Sequence, residues 1–124
     1  MDTLLARDAH RPNAQSLMVI RTLGGAVDRV EADESAYPHR GARYNLSIDA
    51  AWTDPASDST ALAWARTSWD ALAPFGTGGV YVNFAGLDTE TDRRSVFGRS
   101  AQRLDEICAA YDPEGVFAAA GRRP

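Results

Sequence analysis

The stretch Gly78-Gly79-Val80-Tyr81-Val82-Asn83-Phe84 most narrows what this chain can fold into. Two glycines leave the backbone free to turn, and five residues of strict alternation follow. Val80, Val82 and Phe84 alternate with Tyr81 and Asn83, the period of a strand with two unlike faces. Valine, tyrosine and phenylalanine suit a pleated, half-buried surface. Asparagine does not, because its amide needs hydrogen-bond partners wherever it is buried. Two readings of Asn83 stand on these residues alone: the strand ends there and Asn83 opens a turn, or Asn83 faces a polar ligand.

The remaining elements are expected around that strand. Residues 1–15 are polar and read as a loose lead. Residues 16–23 predict a strand stopped by Gly24-Gly25, and Val27 and Val30 predict a second, short extended piece. Asp33-Glu34 reads as a surface turn. Pro38 pushes Tyr37 toward extended backbone, which gathers Tyr37, His39 and Arg40 on an irregular edge. Residues 42–52 predict a longer strand, with Tyr44, Leu46, Ile48 and Ala50 packed and Asn45, Ser47 and Asp49 facing water. A helix is expected over 58–73, capped by Ser57 or Asp58, with Ala61, Leu62, Ala65, Trp69 and Leu72 as its apolar stripe and Trp64 at the margin. A helical turn is expected near 90–96. A second helix is expected over 99–110, ended by Tyr111-Asp112-Pro113. Residues 118–124 read as a frayed tail. The expected class is α+β: a mainly antiparallel sheet with helices on one face, formed by residues 16–117.

Charge and composition exclude several functions. All thirteen basic residues are arginine, and they are scattered and outnumbered by seventeen acids, giving a net charge of −4. That is no nucleic-acid footprint. No apolar run is long enough to span a membrane, and the N-terminus lacks signal-peptide character, so a cytoplasmic location is expected. The lone Cys108 lies in an apolar helical pattern and is expected to be buried. Asp88, Glu90 and Asp92 alternate like part of a calcium loop, but the twelfth position from Asp88 is Arg99, where glutamate is required. His10 and His39 have no metal-ligand spacing, and no metal is expected. Trp52, Trp64 and Trp69 read as core or interface aromatics.

Several of these segments, in order, resemble the C-terminal part of the berberine bridge enzyme-like FAD-linked oxidases. They are Leu23-Gly24-Gly25-Ala26, Ala36-Tyr37-Pro38-His39-Arg40, Trp52, Trp64, Tyr81-Val82-Asn83-Phe84, Arg103-Leu104, and Tyr111-Asp112-Pro113 with Phe117. The resemblance runs along residues 17–117. It implies a flavoprotein oxidoreductase in which a separate N-terminal domain holds most of the FAD and the C-terminal part builds the substrate sheet over the flavin ring. The expected chemistry is hydride transfer from an alcohol or amine to flavin, with oxygen as the acceptor. The chain has no glycine-rich phosphate loop, so it is expected to be a fragment or one half of a split enzyme. Its partners would be an FAD-binding domain or subunit and a small-molecule substrate.

Within that resemblance Tyr81 and Asn83 are expected near the flavin or substrate and Phe84 in the substrate pocket; His39 and Arg40 are the next polar cluster and a further candidate for that pocket. Family members commonly carry a tyrosine base at the position of Phe84, which cannot accept a proton. The base would then be another residue, a substrate group or water, or the fragment would be inactive. Strand alternation adds a conflict, since Tyr81 and Asn83 would share one face and Phe84 the other. His39 and Arg40 can also be read as simply bonding within their own turn. The alternative function is a non-catalytic α+β module for binding or homo-oligomerisation.

Overall fold

β-Branched and long apolar residues form β1 (Leu17–Thr22) and β2 (Tyr44–Asp49), which pair antiparallel from Leu17 opposite Asp49 to Thr22 opposite Tyr44. The computed structural model describes residues 1–32, 34–84 and 93–117. Its class is α+β, with a two-stranded sheet and five helices among the described residues. The expected loop around Asp88, Glu90 and Asp92, Asp33 of the expected surface turn, and the tail 118–124 lie outside them.

The chain divides into two compact units. The first comprises residues 1–28 and 41–78; the second comprises 29–40 and 79–124. Each unit is built from two separated segments.

In the first unit, the lead expected to be loose carries helix α1 (Asp2–Ala9). Past α1, the Asn13 carboxamide accepts from the Gln15 and Ser16 N–H groups and donates to the Ala51 carbonyl at 3.0 Å. These bonds join the lead to the end of β2, with Ser16 fully buried. The helix α3 (Asp58–Leu72) forms where the apolar spacing predicts it and packs against α1 and β2. Its buried face is Ala61, Trp64 and Ser68, rotated from the expected stripe, and Trp69 is 51% exposed. Polar bonds explain the rotation. The Trp64 indole donates to the Arg7 carbonyl at 2.9 Å, and Arg7 Nε donates to Ser68 Oγ at 3.1 Å. A buried indole needs such a partner, and the lead supplies it.

The short strand expected at Val27 is instead a helical turn, α2 (Ala26–Arg29). Gly24 and Gly25 adopt φ of +132° and +62°, and the Val27 N–H closes onto the Gly24 carbonyl. Positive φ at both glycines curls the chain rather than extending it.

The second unit contains α4 (Arg93–Phe97) and α5 (Ser100–Tyr111), separated by Gly98 at φ +53°. Val96 is its buried apolar residue. No residue of α5 is buried, and Cys108, expected inside, is exposed. The helical period of α5 was real, but among the described elements only α4 packs closely on it.

Candidate functional site

The expected strand at 80–84 is absent. Val82–Phe84 is a single 3₁₀ turn, closed by the Phe84 N–H on the Tyr81 carbonyl at 2.9 Å. Gly78, at φ +79°, delivers the chain into it. The change of period removes the conflict of faces. With three residues per turn, i and i+3 lie on one side. The Tyr81 and Phe84 rings meet edge to face with centroids 5.0 Å apart. The Asn83 amide donates from Nδ2 to the Tyr81 hydroxyl at 2.8 Å. Tyr81 is half-buried, while Val82, Asn83 and Phe84 are exposed. Asn83 lies within the turn rather than opening it after a strand, and its side chain is exposed.

Two groups hold this turn from behind. The Val80 N–H donates to the Ser95 carbonyl of α4 at 2.9 Å, and His39 Nε2 meets the Val80 carbonyl at 2.9 Å. Tyr37 is the hub of the rings. It packs edge-on with His39 at 5.4 Å and with Tyr81 at 6.0 Å, and the Arg40 guanidinium lies 4.8 Å over its face. That cation–π contact is of the order of 1 kcal/mol. Arg40 Nη2 also donates to Ser35 Oγ at 2.7 Å. His39, Tyr81, Asn83 and Phe84 therefore stand in one cluster with Arg40. Both His39 and Arg40 make bonds within their own unit.

A second polar group lies in the first unit and was missed in sequence. Arg21, opposite Asn45 in the sheet, donates to Ser47 Oγ at 2.8 Å, and Ser47 donates to Asp49. Ser47, expected to face water, is buried, and the buried Asn45 Oδ1 has no hydrogen-bond partner among the described residues. Alternation marked 45, 47 and 49 as one face. Only the register with Arg21 turns that face into a network. No group of three His, Cys, Asp or Glu side chains among the described residues could hold a metal ion.

Residues 80–120 match the family model described as berberine and berberine like, and the match opens at the residue that His39 holds. The chain is similar to the C-terminal region of the berberine bridge enzyme-like FAD-linked oxidoreductases. Among the relatives, an uncharacterized FAD-linked oxidoreductase of Bacillus subtilis, YgaK, is 31% identical over 87% of this chain and 24% of its own length. A second B. subtilis protein of that description, YvdP, is 33% identical over 76% of the chain and 21% of its own length. The tobacco berberine bridge enzyme-like C-1 is 32% identical over 64% and 15%. The chain thus spans at most about a quarter of the length of these relatives. FAD is the cofactor of the family. No helix among the described residues is long and apolar enough to cross a membrane.

Proposed function

We propose that this chain forms the substrate side of a flavin site in an FAD-dependent oxidoreductase, working with an FAD-binding domain or subunit. The observation that carries the reading is the 80–84 turn. It presents the Asn83 amide beside the exposed side chains of Val82 and Phe84, each 47% exposed. A polar group flanked by flat apolar surface fits the edge and face of an isoalloxazine ring. Asn83 and Tyr81 would contact the ring, and the FAD phosphates would be held by the partner. When bound, FAD supplies a hydride acceptor and oxygen reactivity for the oxidation of an alcohol or amine.

The chain's own residues then have limited tasks. Phe84 shapes the pocket and excludes water, but its ring takes no proton. The Tyr81 hydroxyl, bonded to Asn83, is the proton-handling group of the cluster. The Arg40 charge, held over Tyr37, would favour negative charge developing on the reduced ring. Mixing the chain with FAD-binding proteins encoded beside it tests the reading. Retention of flavin by the mixture and oxygen-dependent turnover are expected. No association and no turnover with any such protein would remove it.

A further inference from the structure

We infer that His39 is a positioning residue for the Tyr81–Asn83 pair, an inference that rests on the flavin-facing role proposed for that pair. A carbonyl oxygen only accepts, so the 2.9 Å contact with Val80 places a hydrogen on His39 Nε2. In the neutral ring, that bond fixes the tautomer and leaves Nδ1 without a proton. Val80 is then held at both of its main-chain polar groups, since its N–H bonds to Ser95. Tyr81 follows directly.

A second route runs through the rings. His39 packs edge-on against Tyr37, and Tyr37 packs edge-on against Tyr81. The imidazole thus fixes Tyr81 through the main chain and through a neighbouring ring. Tyr81 in turn orients the Asn83 amide through its hydroxyl. The contact between His39 and Val80 spans 41 residues of sequence, and with the Tyr37–Tyr81 ring contact it ties the Tyr37–Arg40 segment to the 80–84 turn. His39 acts through Tyr81 rather than as a lining group of the pocket.

The test is nuclear magnetic resonance on the full chain, with Tyr81→Phe defining complete loss of the Asn83 bond. In mildly alkaline buffer, long-range proton–nitrogen correlations are expected to show the Nε2–H tautomer at His39. His39→Ala is expected to move the Asn83 side-chain amide signals most of the way to their positions in Tyr81→Phe. His39→Gln, whose amide nitrogen can donate at comparable reach, is expected to keep them near wild type. An Nδ1–H tautomer, unmoved Asn83 signals in His39→Ala, or a His39→Gln spectrum matching His39→Ala would each overturn the assignment. If His39→Ala unfolds, the wild-type tautomer and the His39→Gln spectrum decide it. Adding an FAD-loaded partner separates the two claims. An Asn83 response with no effect on bound flavin keeps the positioning role and removes the flavin reading.

Discussion

The Asn83 amide donates to the hydroxyl of Tyr81, two residues earlier, at 2.8 Å. The bond closes across a 3₁₀ turn where alternation predicts a strand. It is exposed, so its contribution to folding falls at the low end of the 0.5–1.5 kcal/mol typical of a hydrogen bond, about 0.5 kcal/mol. Tyr81→Phe and Asn83→Ala should each lower stability by about that amount in urea unfolding. The double variant should be less than additive, because both remove one bond. Fully additive losses would mean that the bond is not formed in solution.

Gly98 should not tolerate a side chain. Its φ is +53°, and an added Cβ would stand 3.0 Å from Pro38 Cβ. Left-handed backbone costs alanine about 1–2 kcal/mol before the contact is counted. Gly98→Ala should therefore destabilise the second unit by about 2 kcal/mol, measured by urea unfolding. The aromatic signals of Tyr37 and Tyr81 should report the change.

Trp64 joins helix α3 to the lead. Trp64→Ala should cost about 3–5 kcal/mol, as for other large aromatics removed from a core. Trp64→Phe keeps a ring but leaves the Arg7 carbonyl with the His10 N–H and without its indole donor, a loss of about 0.5–1.5 kcal/mol. Deleting residues 1–10 should destabilise the chain in the same direction, since the deletion removes that carbonyl and the Arg7 bond to Ser68. Thermal unfolding of the three variants checks the assignment.

Phe84→Tyr should restore a proton acceptor at the turn. Phe84 is 47% exposed, so the stability change should stay within about 0.5 kcal/mol. With a flavin partner and substrate, turnover should rise, up to the roughly 10²–10⁴-fold that a placed general base supplies. Unchanged turnover would place the proton transfer elsewhere.

Local periodicity carried the elements whose partners are near or generic. β1, β2, α3 and α5 follow from alternation or from three- and four-residue spacing, and all four are present. The fold class was legible for the same reason. The 80–84 turn was not, because Val80 is held by His39, 41 residues away, and by Ser95 of α4. Alternation alone favours a strand there, and long-range bonds override it. The helical lead was hidden because Arg7 and Asn13 look like solvated polar residues until Trp64, Ser68 and Ala51 supply their partners. The candidate residues Tyr81, Asn83 and Phe84 came from the family resemblance. Their mutual arrangement around Tyr37 came only from the fold.

The most direct measurement is the visible spectrum of flavin bound to a partner FAD-binding protein, titrated with this chain. The account predicts a shifted flavin absorbance and quenched flavin fluorescence on binding, both reduced when Asn83→Ala or Tyr81→Phe replaces the wild-type chain. Association that leaves the flavin spectrum unchanged, or a shift of equal size with both variants, would contradict a flavin-facing turn.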